Sequence, residues 1–339
     1  MTRVRRAWSV ATVGAVAAAL VIAALCPLLF TVYFTSAVAV TVLWTGLAAA
    51  SLAFLAGYGG MVSLAQTALF GVAGFTAAKL TVDGHWNPWL AGLTAVGVAV
   101  GVGLVFGAIA SGSEGIYFLM ITLAFAVITY YYFSQVPTFG AHEGINGVRA
   151  PTLLGDPVHH PTRIYYAALL CCVLAYLAVR HVARTAFGLA LQGVRDDPVR
   201  MSALGFRVRL HRTLGFAAGA AIAAVAGVLS AWHNTRISPG SIDLTRTIDI
   251  LVIAVIGGMY RLEGAWIGAF VFTMLDTYAR GISDRFETYI GLIFLAIVVL
   301  SPDGVVGFWR TIDRRIHGRA GGRGEPPEGL AAPSEEAPA

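Results

Sequence analysis

The residues best placed to do chemistry lie in one charged stretch, RHVARTAFGLALQGVRDDPVRMSALGFRVRLHR, running from Arg180 to Arg212. Within it Asp197 is a good helix N-cap, Pro198 suits the first helical position, and Gly205 supplies a left-handed stop. The spacing therefore predicts an isolated helix of about two turns over 198–204, preceded by another over about 185–194. Two readings are open. In the plainer one these are surface helices whose arginines only mark one side of a membrane. In the other, a capped two-turn helix carrying Val199, Met201, Ala203 and Leu204 presents a rigid apolar knob to a soluble partner. A third use, Asp196 and Asp197 holding Mg²⁺ for a phosphate-bearing lipid substrate, would want a second acidic cluster on the same face, and the neighbouring loops offer none.

Other polar residues sit in apolar surroundings. Ser63, Gln66 and Thr67 lie among Gly57, Gly59, Gly60, Gly71 and Gly74, and their spacing puts them on one face of a helix. Such a face lines a path for a polar solute or makes ordinary interhelical hydrogen bonds. Asp249 has Arg246 three residues before it and Asp276 has Arg280 four after it, the pattern of interfacial ion pairs or of a proton or cation relay. The only lysine, Lys79 in GFTAAKL, lacks the glycine and hydroxyl neighbours of a phosphate-binding loop, so any ATP would be hydrolysed by a partner. No histidine pair has metal-ligand spacing with a third ligand in view, and no metal or cofactor is expected. Cys26, Cys171 and Cys172 read as small hydrophobes.

The elements that carry these residues must be membrane helices. Of 339 residues 57% are hydrophobic and 12% charged, and Ala7 to Ala78 contains no Asp, Glu, Lys or Arg. At about 20 residues per crossing, apolar blocks near 8–30, 32–56, 60–80, 90–112, 115–136, 164–180, 213–231, 246–260, 264–280 and 286–301 predict about ten spans. With that even count the basic regions, namely the N-terminal arginines, Arg180–Arg212 and the tail after Arg310, all fall on one side, which the positive-inside rule makes the cytoplasm. The parity depends on 60–80 crossing. No A-x-A site ends the first apolar block, so it reads as an uncleaved helix. Residues 317–339, rich in Gly, Pro and Glu, are expected to be disordered. The triplet GGM at Gly59–Met61 recurs at Gly257–Met259 and suggests equivalent interrupted helices in two halves.

The segment FGLALQGVRDDPVRMSALGF resembles the cytoplasmic signature of permease subunits of ATP-binding-cassette importers of the branched-chain amino-acid type. Four further stretches are similar in family order: GYGGMVSLAQTALFGVAGFTAA (57–78), GIYFLMITLAF (115–125), FGAHEGINGV (139–148), and ISPG followed by VIGGMYRLEGAWIGA (237–240 and 255–269). The resemblance implies an all-α polytopic protein of the bacterial inner membrane with both termini cytoplasmic. It would have a permease domain over 1–316 with a coupling loop at 181–212. It also implies two cytoplasmic ATP-binding subunits, a second homologous permease subunit and an extracytoplasmic solute-binding protein as partners, alongside membrane lipid and no nucleic acid. On that reading Gly188, Arg195, Asp196, Asp197, Pro198, Met201, Ala203, Leu204 and Gly205 couple to the ATPases, and Ser63, Gln66, Thr67 and Thr122 line the path.

The departures bear on the cargo. Glu114-Gly115 stands where the family often has Arg-Gly, and Tyr260, Arg261 and Ala265 replace family residues in GG-x-G-[ST]-L-x-G-P. Ala141 and Glu143 stand where a second Gly and an Asn or Asp are common. Branched-chain amino acids, amides, urea and other small polar solutes are all open as cargo. The alternative transport reading is an ion-coupled secondary transporter using Asp249 or Asp276, and it needs no ATPase.

Overall fold

A computed structural model describes residues 34–151 and 161–279, with isolated positions among 23–27, at 155 and among 291–295. Over that range the protein is a bundle of helices: α1 (Val40–Gly59), α2 (Gln66–Val82), α3 (Pro88–Ala110), α4 (Gly115–Gln135), α5 (Pro161–Val182), α6 (Ala186–Asp196), α7 (Pro198–Ala203), α8 (Val208–Asn234), α9 (Leu244–Gly257) and α10 (Leu262–Ala279). A π-helical turn, Phe34–Ala39, leads into α1. A two-residue antiparallel ladder joins β1 (Ile145–Asn146) to β2 (Arg236–Ile237).

Five helices among the described residues are long and apolar enough to cross a membrane: α1, α3, α4, α5 and α8. The protein is a multi-pass membrane protein. α1 and α8 form the buried centre, while α3, α4 and α5 expose most of their surface. The expected ten crossings are not all of this kind. The expected span at 60–80 is not one helix: α1 stops at Gly59, residues 60–65 are irregular, and α2 begins at Gln66. Likewise 246–260 holds the 14-residue α9, about 21 Å long at 1.5 Å per residue and short of the roughly 30 Å hydrocarbon core. Residues 8–30, 286–301 and 317–339 lie outside the described residues apart from the isolated positions.

Small residues explain why these helices approach so closely. In lipid, helices associate through packing and hydrogen bonds, since the surroundings are already apolar, and Gly or Ala at the crossing lets more atoms meet. Gly46 of α1 leaves a notch filled by Trp266 of α10, and Gly219 of α8 receives Leu55 of α1. Gly227 of α8 lies against the Phe70 carbonyl of α2. The irregular segment entering α9 is held the same way, with Ile237 over Gly74 and Ile242 over Gly71 of α2. Since those glycines lie well inside α2, α9 begins part-way along α2 and not beyond its end.

Both GGM triplets end a helix at a positive-φ glycine, though with different backbone angles. α1 ends at Gly59 with Gly60 left-handed at φ 66°, and α9 ends at Gly257 with Gly258 at φ 102°. Each stops a helix and is followed within a few residues by another, as the repeat suggested. Gly57 of the first break packs on the backbone of Tyr260 in the second, so both lie at the end of the bundle that carries the basic loop.

Candidate functional site

At the basic end, Thr185 caps α6 by accepting the Gly188 N–H at 3.4 Å, and Gly188 itself packs on the Val182 carbonyl, where no side chain fits. The side-chain amide of Gln192 ties the turn together, donating to the Ala183 and Gly188 carbonyls at 3.1 Å each. The buried Leu191 points into the bundle, over Gly59 and into the notch of Gly215.

The predicted short helix is α7, ending one residue earlier than expected. Asp197 Oδ1 accepts the Arg200 N–H at 2.9 Å, and Pro198 fills the first position as its missing N–H allows. At the other end the Phe206 N–H donates to the Met201 carbonyl and the Gly205 N–H to the Ser202 carbonyl, with Gly205 at φ 89°. This is a Schellman stop, in which a left-handed glycine lets two late carbonyls be satisfied. Both ends are thus closed without help from neighbours, and the helix keeps its shape while standing out from the bundle. Met201 turns inward onto Gly193 of α6, whereas Val199 is 76% and Leu204 66% exposed. Asp196 pairs with Arg195 at 2.7 Å and Asp197 with its own helix, so neither carboxylate is set up as a magnesium ligand.

Beneath the loop lies a second polar group of residues, gathered at the α1–α2 break. Ser63 is not on a helical face with Gln66 and Thr67, contrary to the spacing argument. It sits in the irregular segment, where its Oγ accepts the Ala65 N–H at 3.2 Å. Thr122 of α4 accepts the Leu64 N–H at 3.2 Å. The two hydroxyls satisfy backbone groups that a continuous helix would have paired internally, which is how irregular backbone is tolerated when buried. Thr67 shares a 2.7 Å hydrogen bond with Thr247 near the start of α9. Sequence reasoning missed Thr247, whose one signal was a hydroxyl in the apolar run 246–260. Gln66 is 1% exposed, and among the described residues neither its Oε1 nor its Nε2 finds a hydrogen-bond partner.

A cleft of about 300 Å³ adjoins this group, lined by Tyr130 and Tyr131 of α4 and by Asp243, Thr245 and Thr247 around the start of α9. Asp249 pairs with Arg246 at 3.3 Å, as expected, and Asp276 is close enough for its charge to act on Asp249. Arg280 lies outside the described residues. Among the described residues no three of His, Cys, Asp and Glu gather where a metal ion could sit.

The family of branched-chain amino acid transport system permease components matches residues 34–302. The high-affinity branched-chain amino acid transport system permease protein LivM of Escherichia coli is 23% identical over 78% of this chain and 68% of its own length. BraD of Pseudomonas aeruginosa, of the same description, is 27% identical over 46% of this chain and 55% of its own. A probable branched-chain amino acid transport permease protein, LivH of Methanocaldococcus jannaschii, is 29% identical over 39% and 45%. No solved structure matches. With five helices among the described residues long and apolar enough to cross a membrane and a family match over residues 34–302, the chain belongs to the permease components of branched-chain amino acid transport systems.

Proposed function

We propose that this permease is half of the membrane path of an importer in the bacterial inner membrane. Two cytoplasmic ATP-binding subunits power it, and an extracytoplasmic binding protein feeds it. The observation that carries this reading is α7, capped at both ends and exposing Val199 and Leu204, a shape suited to insertion in a partner's groove. The loop 181–212 then faces the cytoplasm, as do both termini. A second homologous permease stands opposite, and lipid covers the rest.

When the ATP-binding subunits close, α7 moves with them and α6 follows through Met201. The broken helices respond and move the bundle between outward and inward access. ATP selects one of two states of the bundle; the permease itself need only be bistable. Ser63, Gln66, Thr67 and Thr122, with Thr247, stand along the path at the break, and the unpartnered Gln66 amide is the group available to an uncharged or zwitterionic solute. The names of the relatives favour a branched-chain amino acid as cargo, and related small polar solutes fit the same groups.

Proteoliposomes containing this chain, its partner permease and the binding protein are expected to accumulate cargo only when ATP-binding subunits and ATP are present. Asp249→Asn should keep most of the uptake, since losing one member of its partly exposed pair with Arg246 typically costs about 1 kcal/mol or less, and the importer reading requires the same of Asp276→Asn. Uptake driven by an ion gradient without the ATP-binding subunits, and abolished by either Asn variant, would establish the ion-coupled alternative.

Orientation is checked separately. A cysteine at the exposed Ser202 should react with an impermeant thiol reagent only after permeabilisation, whereas one at the exposed His142 should react in intact cells. The reverse labelling would put α7 on the wrong side for an ATPase.

A further inference from the structure

The Arg195 side chain is 38% exposed, yet its stem and guanidinium turn toward α1. Arg195 is the last residue but one of α6 and precedes Asp197, the N-cap of α7. Its guanidinium Nη1 donates to the carbonyl of Gly57 in the last turn of α1. Its aliphatic stem covers Gly60, where a Cβ would come within 2.5 Å of Arg195 Cγ. Asp196 holds the other edge of the guanidinium, at 2.9 Å to Nε and 2.7 Å to Nη2.

Each partner is significant for what it is. Gly57 carries one of the carbonyls that a helix C-terminus leaves without an internal donor, and the negative end of the helix dipole favours a cation there. Gly60 is the left-handed residue that ends α1, and any larger side chain would displace the arginine. Gly57 also touches the Tyr260 backbone, so the residue gripped by Arg195 in the first break packs on the second break. Arg195, beside Leu191 over Gly59, therefore connects the docking loop to the point where the bundle's helices are interrupted, and it is the polar member of that link.

We propose that Arg195 is the positioning residue that transmits displacement of α7 to the α1–α2 break, and that it is not part of the ATPase-docking surface. This inference rests on the importer reading above. Gly60→Ala should mimic loss of the arginine, because its Cβ competes for the volume of the arginine stem. Arg195→Lys keeps one donor for the Gly57 carbonyl but loses the fork that Asp196 holds, so it should recover part of the effect.

The test uses the complete complex in proteoliposomes, supplied with leucine-loaded binding protein and ATP. Leucine uptake and ATP hydrolysis are measured together. In Arg195→Ala the leucine moved per ATP should fall about tenfold, within the usual range of coupling between sites, while the ATP-binding subunits still copurify. Arg195→Lys should lie between Arg195→Ala and the unaltered protein. Unchanged leucine moved per ATP in Arg195→Ala would overturn the proposal. So would loss of the ATP-binding subunits from a folded Arg195→Lys complex, which would put Arg195 in the docking surface after all. If the unaltered complex binds leucine-loaded binding protein but moves no leucine with ATP, the importer reading fails and the role of Arg195 fails with it. If Arg200→Ala, at another exposed arginine of the loop, gives the same loss per ATP, the effect is one of loop charge and the proposal is again overturned.

Discussion

Replacing Gly264 with valine is expected to eliminate properly folded protein from the membrane. Gly264 of α10 and Gly257 at the end of α9 face each other so closely that a Cβ on either would overlap the other's carbonyl oxygen. One helical turn on, Gly268 meets the Ile253 carbonyl in the same way. Because the obstacle is backbone, no side-chain rotation relieves it, and the α9–α10 hairpin must open. Overpacking a core typically costs about 1–3 kcal/mol even where side chains can give way, and here the cost falls at the top of that range or above. Gly97→Ala and Gly101→Ala in α3 are the controls, since nothing lies within 4 Å of a Cβ at either position, and both should purify and melt like the unaltered chain. A monodisperse Gly264→Val protein with an unchanged melting temperature in detergent would show that α9 and α10 do not cross there.

That crossing also shows what could be read in the sequence. In GGMYRLEGA the residues shared with the family pattern are Gly257, Gly258, Leu262 and Gly264. The structure uses Gly257 and Gly264 for backbone contact, Gly258 for a left-handed turn and Leu262 as a buried side chain. Tyr260, which departs from the pattern, is exposed. Glu114, another departure, pairs with Arg212 of α8 at 2.8 Å. Ala141 takes φ 44°, a conformation suited to the glycine common there in the family. α7 was readable for a similar reason, because its caps depend on residue type and local spacing alone.

Depth was not readable. The block 60–80 is apolar on both sides of the break, and hydropathy averages over Met61–Ala65 without registering that they leave the helix. The signal was Gly59-Gly60, which is a helix stop only when the second glycine turns left-handed. α9 looked like a full crossing because the polar segment before it, 235–243, enters the bundle and packs on Gly71 and Gly74, a tertiary contact that local sequence does not encode. For the same reason the spacing of Ser63, Gln66 and Thr67 suggested one helical face, whereas the chain bends between the first and the other two. Gln66 was identifiable as a polar residue in apolar company, but its unsatisfied amide depends on what α4 and α9 bring near it.

On the proposed importer reading, placing valine at Gly205 should uncouple the permease from ATP-binding subunits without unfolding it. Nothing lies within 4 Å of a Cβ at this position, so the effect is conformational and not steric crowding by neighbours. At φ 89° an L-residue is strained by about 1–2 kcal/mol, and a β-branched one more than most. α7 has only six residues and no reserve of helical hydrogen bonds to offset that strain. The docking-competent shape then becomes a minority population, and apparent affinity falls by the same fraction. A cost of one or two kcal/mol corresponds to a loss of about 5- to 30-fold. Since Gly205 lies outside the bundle, expression and melting temperature should stay at the level of the unaltered chain, in contrast to Gly264→Val. Gly205→Asn, which tolerates the left-handed region, should retain most activity and Gly205→Ala should fall between, so binding of ATPases and ATP-dependent uptake should follow the order Gly, Asn, Ala, Val. That order separates a backbone requirement from a requirement for small size, which would rank Ala above Asn. Equal ATPase binding by the Val and Gly proteins would mean that α7 is a surface helix with no partner.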